Sequence, residues 1–129
     1  MNGLESTVQQ LSLEMKEQVD TLYDRFFSQE GKPEVNDRTF FTYMKEETNP
    51  IFDLNNRWAG AVEEFLAAYP GGPVYPPQIK NTKENMELVI LHSYYIDVPK
   101  KRYMELYQSI HYVVNQVLDK YVEVQGSNQ

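Results

Sequence analysis

The chain has 129 residues, a formal net charge of −7 at pH 7 and no cysteine. Its length suits one domain with a buried core, so we predict a single domain over residues 1–129, frayed at 1–3 and 125–129. The missing cysteines exclude disulfide bonds and thiolate chemistry, and the negative charge disfavours broad non-specific binding to nucleic acid. The start of the chain lacks the basic and apolar regions of a signal peptide, and no apolar run approaches the roughly 20 residues of a membrane span. We therefore predict a cytoplasmic protein without a membrane partner.

The first predicted helix runs from about Leu4 to Ser28. Its apolar residues recur every three or four positions and define one narrow stripe, as expected for a helix that buries a single face. The stripe consists of Leu4, Val8, Leu11, Met15, Val19, Leu22 and Phe26. Gly31 and Pro33 follow this stripe and are predicted to end the helix.

A short helix is predicted over about 37–47, with Asn36 or Asp37 as its N-terminal cap. Asn49-Pro50 is predicted to separate it from the next helix, because proline disfavours α geometry at the preceding residue and suits the first position of a helix. The second long helix then runs to about Tyr69. Its buried stripe is Ile51, Leu54, Trp58, Val62, Phe65 and Tyr69.

The clearest loop in the chain is the proline- and glycine-rich segment Pro70–Pro77. Helix three is predicted from about Pro77 to Ile96, and helix four from Pro99 to about Glu123, with a tight turn at Asp97-Val98-Pro99 between them. Short connections place consecutive helices side by side and antiparallel. The predicted fold is therefore all-α: an antiparallel up-and-down four-helix bundle, with the extra short helix before helix two.

Several segments of the chain resemble a known family in their order and spacing. They are Arg57-Trp58-Ala59, Gln78-Ile79, Asn85 before an apolar run, Ser93-Tyr94, Lys100-Lys101-Arg102 and Tyr103, and the match extends back to Phe40-Phe41. Together they resemble the YppE-like proteins of Gram-positive bacteria, a domain of unknown function. The resemblance implies a four-helix bundle in a cytoplasmic bacterial protein, and it implies no activity. The chain departs from the family at Asp97-Val98-Pro99, where related sequences are richer in histidine, which speaks against a metal role at this turn.

The sequence contains none of the motifs that usually mark a catalytic or cofactor site. Di-iron bundles use Glu-x-x-His on two helices, but neither His92 nor His111 has a glutamate three positions earlier. Two histidines without cysteine also disfavour a zinc site, and phosphate loops and nucleophile elbows are missing. We therefore predict no catalytic residue, no metal site and no cofactor. An enzyme would need an unrecognised pocket, such as one near Glu87 or Tyr94.

Helix three is apolar on two sides. One face consists of Ile79, Met86, Val89, Ile90 and Ser93. Leu88, Leu91 and Tyr95 lie roughly 120–180° away from it around the helix. A helix with two apolar sides is buried on both or docks a partner. Either the loop at 70–77 or the short helix near Phe40-Phe41 covers the second face, or that face binds a second copy of the chain or another protein.

Helix four adds one residue to this candidate interaction surface. Its predicted buried stripe is Tyr103, Tyr107, Ile110, Val114, Val117 and Tyr121. Tyr112 falls about 180° from Tyr103 around the helix, in the polar sector. We therefore predict that Tyr112 is exposed, either as an isolated surface aromatic or as part of an interaction surface.

Lys100-Lys101-Arg102 places three cations in the first turn of helix four, where the macrodipole favours acidic residues instead. Acidic neighbours such as Asp97 or Glu105 can offset these charges. Alternatively, the cluster contacts an acidic surface on a protein partner, or it binds phosphate or another anion at the helix N-terminus. Three cations in so acidic a chain make nucleic acid a disfavoured partner.

These observations favour a non-enzymatic protein-interaction module of the bacterial cytoplasm, with an unknown protein partner or a homodimer. The alternative is an anion or nucleic-acid binder that uses the basic turn at Lys100–Arg102. An enzyme ranks last among the three.

Overall fold

Four helices make up most of the protein. The computed structural model describes residues 3–28, 38–94 and 98–127, and these residues contain no strand. The helices are α1 Gly3–Ser28, α2 Arg38–Ala68, α3 Pro76–Tyr94 and α4 Lys100–Ser127. Each helix packs against the next, α1 packs against α4 to close the ring, and α1 also contacts α3 across the diagonal. The predicted all-α four-helix bundle is confirmed.

The predicted apolar stripes form one continuous core. Its largest fully buried side chains include Trp58, Tyr103, Phe65, Met15 and Leu22. The indole N–H of Trp58 donates a hydrogen bond to Ser12 Oγ at 3.0 Å, which satisfies its polar atom and joins α1 to α2. Burial of each such large side chain stabilises the fold by about 1.5–3 kcal/mol relative to exposure. Apolar packing is therefore the main force that holds the four helices together.

The predicted short helix over 37–47 is not a separate element. α2 runs without interruption through Pro50, so the predicted boundary at Asn49-Pro50 is wrong. A proline in a helix interior removes one backbone donor and costs about 3 kcal/mol. Met44 and Ile51 are nevertheless buried in the same core on both sides of Pro50, and this packing offsets the cost. The predicted caps at 36 and 37 lie outside the described residues.

The loop between α2 and α3 is the predicted proline- and glycine-rich segment. Gly71 adopts a φ of 101°, a backbone conformation that residues with a side chain rarely adopt. Val74 is 1% exposed and belongs to the core. This inserted side chain fixes the loop against the end of the bundle.

α4 continues to Ser127, past its predicted end at about Glu123. Gln125, which lies in the segment predicted to fray, donates a side-chain hydrogen bond to Glu5 of α1 at 3.2 Å. The beginning of α1 and the end of α4 therefore lie side by side.

Candidate interaction surface

The second apolar side of α3 is partly open. Leu88 is 37% exposed and Leu91 is half-buried, whereas Val89 and Ile90 between them are buried. Tyr95, the third residue predicted for this side, lies outside the described residues. The bundle therefore buries one face of α3 fully and leaves Leu88 in contact with solvent.

Tyr112 of α4 is 63% exposed, as predicted. Two hydrogen bonds fix how α4 lies against α3: Gln78 Nε2 to Gln116 Oε1 at 3.1 Å, and Ser93 with Tyr103 at 2.7 Å. Since the first pair joins the start of α3 to the later part of α4, the two helices are antiparallel.

These contacts place Leu88 and Tyr112 on one side of the molecule. Gln116, which binds α3, also donates to the Tyr112 hydroxyl at 3.4 Å, so Tyr112 borders the seam between the two helices. Leu88 lies about 80° around α3 from Gln78, the residue that binds α4. Leu91 lies about 140° from Gln78 and is turned further from α4. We name the surface formed by Leu88 and Tyr112 the α3–α4 face.

Neither of the two segments considered as covers for the α3–α4 face encloses it. The loop at 70–77 bonds to Lys120 of α4 instead, through the carbonyls of Gly71 and Gly72. Phe40 and Phe41 are partly buried against the core. The exposure of Leu88 remains with both segments in place.

Lys100, Lys101 and Arg102 are all exposed at the start of α4. Arg102 Nη1 lies 3.8 Å from Glu105 Oε2, an exposed pair one turn apart that contributes little to stability. Within the described residues, neither lysine forms an ion pair with a carboxylate within 4.0 Å. The charge of the basic turn is thus only partly offset inside the described part of the chain.

Arg102 also influences the pKa of a histidine on α3. Burial, together with the positive charge of Arg102, lowers the pKa of His92 below its usual value. His92 is half-buried, and its Nδ1 lacks a hydrogen-bond partner among the described residues. A neutral imidazole therefore lies between the basic turn and the core.

A polar cluster joins α1 to α4 at the surface. Tyr107 donates a hydrogen bond to Asp20 Oδ1 at 2.6 Å, and His111 Nε2 lies 2.8 Å from the same oxygen. Partial burial raises the pKa of Asp20, but the hydrogen bonds from Tyr107 and His111 outweigh it, and the pKa is lowered overall. Burial and the Asp20 carboxylate raise the pKa of Tyr107 to about 12. We call these three residues, Asp20, Tyr107 and His111, the clasp. At pH 7 its Asp20 is ionised and its Tyr107 is neutral.

The end of the bundle where α1 and α3 finish is built from rings, and we call Tyr23, Phe26, Tyr94 and Tyr103 the aromatic end. Phe26 stacks on Tyr103 with ring centroids 3.8 Å apart. Ser93 donates to the Val89 carbonyl at 2.7 Å, so the Tyr103 hydroxyl is left to donate to Ser93 Oγ. Burial raises the pKa of Tyr103 to about 12, although its hydrogen bond with Ser93 acts in the opposite direction.

Arg25 extends the aromatic end towards α2. Its guanidinium carbon lies 3.9 Å from the ring centroid of Tyr94, a cation–π contact between α1 and α3. Arg25 Nη1 also donates to the hydroxyl of Tyr43 at 3.4 Å, and this hydroxyl donates to Glu47 at 3.4 Å. Burial raises the pKa of Tyr94, against the opposite effect of Arg25. These contacts connect three helices.

The opposite end is held by polar atoms, and we call Glu5, Tyr69, Lys120 and Gln125 the loop end. Glu5 is 4% exposed; it accepts hydrogen bonds from the hydroxyl of Tyr69 and from Gln125. Lys120 is 5% exposed and donates to the carbonyls of Gly71 at 2.8 Å and Gly72 at 3.2 Å. A cleft of about 350 Å³ next to these groups is lined in part by Tyr69, Lys120 and Glu123.

The comparison with known families decides what the chain is related to. The family model of a bacterial domain of unknown function, DUF1798, matches residues 12–121. The chain belongs to the DUF1798 family. The predicted resemblance to the YppE-like proteins is also confirmed, by the match to YppE itself.

The uncharacterized protein YppE of Bacillus subtilis strain 168 is 28% identical over 117 residues, a match that covers 91% of this chain and 94% of YppE. The crystal structure of yppE from Bacillus subtilis has a TM-score of 0.82 at 24% identity and covers 94% of this chain and 97% of its own. A crystal structure of a protein of unknown function from Listeria innocua has the same TM-score at 14% identity, with coverage of 95% and 97%. These structures show that the chain has the fold seen in these proteins.

The sequence analysis did not predict two residues of this DUF1798 chain, Glu5 and Lys120, whose hydrogen bonds stabilise the loop end. Glu5 directly follows Leu4 at the start of the α1 stripe, and Lys120 lies between Val117 and Val124 in the buried register of α4. A charged residue in an apolar register is the signal that could have found Lys120. Nothing in the sequence indicates that the carbonyls of the α2–α3 loop accept hydrogen bonds from the Lys120 ammonium group.

The described residues of this DUF1798 protein hold no group of three or more His, Cys, Asp or Glu placed to bind a metal ion. Over the same residues, none of the four helices combines the length and the apolarity that a bilayer crossing requires.

Proposed function

We propose that this protein binds another protein through the α3–α4 face and catalyses no reaction of its own. The observation that carries the proposal is the exposure of Leu88 and Tyr112 on two adjacent antiparallel helices. The two side chains lie on neighbouring helices, so a single partner element packed along the seam between α3 and α4 contacts both.

The contacts of the polar side chains support a binding role. Asp20 joins α1 to α4, Tyr103 joins α4 to α3, and Lys120 holds the α2–α3 loop. These three side chains, which could otherwise act as acids or bases, are thus engaged in bonds between elements of the fold. The α3–α4 face, in contrast, carries side chains whose burial by a partner would be favourable.

Other exposed apolar residues serve as comparisons. Phe27 packs against Tyr23 with ring centroids 4.6 Å apart, and Tyr43 is bonded to Arg25. Leu13 is 51% exposed on α1 and faces away from the core stripe of that helix. Leu13 is therefore the matched control for Leu88, because it has the same side chain and is at least as exposed.

The test uses photocrosslinking in the bacterium that encodes the protein. p-Benzoylphenylalanine replaces Leu88, Tyr112 or Leu13 in turn, and the adducts formed on irradiation are identified by mass spectrometry. We expect the same adduct from positions 88 and 112 and none from position 13. Leu88→Glu should abolish the adduct at position 112, whereas Leu13→Glu should preserve it. Equal labelling from all three positions, or no adduct at 88 and 112, would contradict the proposal.

A second candidate, binding of an anion or nucleic acid, is favoured by one observation. Lys100 and Lys101 are exposed without a carboxylate partner among the described residues, and free backbone N–H groups at a helix start favour negative ligands. Titration with inorganic phosphate and with a single-stranded oligonucleotide at low salt distinguishes the two candidates. Binding that Lys101→Glu abolishes would support this candidate, and the absence of any binding would remove it.

A further inference from the structure

The charges of α4 are arranged against its own dipole. The first turn contains no acidic residue and the last turn no basic one. Three exposed cations begin the helix, while Asp119 and Glu123 are exposed in its last third. Cations are disfavoured near the N-terminus of a helix and carboxylates near its C-terminus. Lys120 does not reverse this pattern at the surface, because it is buried and bonded to the loop.

Lys101, Asp119 and Glu123 lie on one line along α4, whereas Lys100 and Arg102 lie beside it, about 120° and 80° from Tyr112 around the helix. At 100° per residue, the exposed outer residues fall within about 40° of Tyr112 around the helix. This stripe consists of Lys101, Glu105, Gln108, Tyr112, Asp119 and Glu123. It extends for about 33 Å, given a rise of 1.5 Å per residue. The outer stripe of α4 therefore carries one lysine and one glutamate near its start, Tyr112 in the middle and two carboxylates near its end, while Lys100 and Arg102 beside it make the start of the helix basic as a whole.

We propose that a second copy of this chain docks on this stripe, with the two α4 helices antiparallel and a two-fold axis at Tyr112. The inference rests on the proposed function and names the partner of the α3–α4 face. Lys101 and Glu123 lie equally far from Tyr112 along the helix, so each lysine meets the glutamate of the other copy. These two symmetric pairs, with the excess of cations at the start of α4 and of carboxylates at its end, are the self-complementary contacts that a two-fold interface requires.

The same register also brings two like charges together. Glu105 faces Asp119 of the second copy, a repulsive pair that Arg102, 3.8 Å from Glu105, offsets in part. The two Tyr112 rings meet at the axis, and Leu88 lies about five residues further along, level with Tyr107 in the register set by Gln78–Gln116 and Ser93–Tyr103. Two copies that each carry a net charge of −7 repel each other at long range, so the local pairs decide whether they associate and in which orientation.

The first experiment is charge reversal followed by sedimentation equilibrium from micromolar to millimolar concentration. Lys101→Glu and Glu123→Lys should each weaken dimerisation by about tenfold or more. The double variant Lys101→Glu/Glu123→Lys restores opposite charges at both contacts and should return the dissociation constant to within about threefold of wild type. Lys45→Glu changes the net charge as Lys101→Glu does, but Lys45 is exposed on α2, the helix diagonally opposite α4 in the bundle, and the change should have little effect.

A second measurement does not depend on charge. Because the chain has no cysteine, Tyr112→Cys introduces a single thiol at the proposed axis, where two copies bring their thiols together. Mild oxidation should give a disulfide-linked dimer much faster than it does for Leu13→Cys. Wild type that sediments as a monomer up to millimolar concentration, or equal crosslinking of both cysteine variants, would overturn the proposal. If the photocrosslinks from positions 88 and 112 then lead to a different protein, the interaction function stands and only the self-association fails.

Discussion

The two ends of the bundle are held together by different chemistry. At the aromatic end, Tyr103 is buried, stacks on Phe26 and uses its hydroxyl only for one bond to Ser93. At the loop end, Lys120 and Glu5 bind backbone carbonyls and polar side chains. Ring packing removes apolar area from water, whereas a hydrogen bond within the protein replaces one with water and is worth about 1 kcal/mol net. The aromatic end should therefore carry the larger share of stability.

The largest expected effect comes from Tyr103→Ala at the aromatic end. Loss of a buried aromatic ring leaves a cavity and should lower the free energy of unfolding by about 3–5 kcal/mol, measured by urea denaturation. Tyr112→Ala is the matched control on the same helix, because its ring is 63% exposed, and it should change stability by less than about 0.5 kcal/mol. Similar losses from the two variants would show that the ring stack is not what holds this end.

At the loop end, Lys120→Met keeps an apolar stem of similar length and removes the ammonium group. We expect a loss of about 1–3 kcal/mol, because the loop carbonyls lose a charged donor. Amide hydrogen exchange should quicken in the loop at 70–76 and stay unchanged at the aromatic end. Lys101→Met, which removes an exposed lysine from the same helix, is the control, and an equal effect of both variants would contradict the assignment of Lys120 to the loop.

A smaller effect separates the hydroxyl of Tyr103 from its ring. Tyr103→Phe should lower the free energy of unfolding by about 1 kcal/mol. The hydrogen bond between Tyr103 and Ser93 is lost, while Ser93 keeps its hydrogen bond to the Val89 carbonyl. Because burial raises the pKa of Tyr103 from its ordinary value of 10.0 to about 12, the contribution of its hydroxyl to stability is complete below pH 10 and is lost as the pH rises towards 12. Ultraviolet titration should show one fewer late-titrating tyrosine in the variant. An unchanged titration above pH 10 would argue against burial of this hydroxyl.

The smallest effect is expected between the two ends, at the clasp of Asp20, Tyr107 and His111. Asp20→Asn should cost about 0.5 kcal/mol at pH 7, because the carboxylate is largely exposed. Since the pKa of Asp20 is lowered in the fold, its contribution is present above about pH 4 and is lost as the pH falls through the lowered pKa. Wild type and variant should thus converge in acid. Asp53→Asn, at an exposed pair within α2, is the control for the loss of one carboxylate.

The fold could be predicted from the sequence because its apolar stripes are regular. Val8, Met15 and Trp58 lie in the predicted registers and are buried, and the loop at 70–77 is marked by glycine and proline. The break predicted at Pro50 was wrong. The cost of a proline inside a helix, about 3 kcal/mol, was considered without the packing of Met44 and Ile51 on both sides of it.

The surface could be predicted only in part. The period of α3 indicates that Leu88 faces away from Ile90, and the structure places it there. The partners of Arg25 and Lys120 could not be predicted, because their contacts come from helices and a loop distant in sequence. Helical periodicity assigns a side chain to a face, but it does not say which neighbour lies opposite.

The hydrogen bond between Glu5 and Gln125 has a mechanical consequence. It brings the start of α1 beside the end of α4, and the clasp from Asp20 to His111 lies further along the same pair of antiparallel helices. A pulling force applied between residues 3 and 127 would act across this seam and open it like a zipper, one contact at a time, rather than shear all the contacts at once. The bundle should therefore yield at low force from this side, beginning at Glu5, while the rings of the aromatic end separate last.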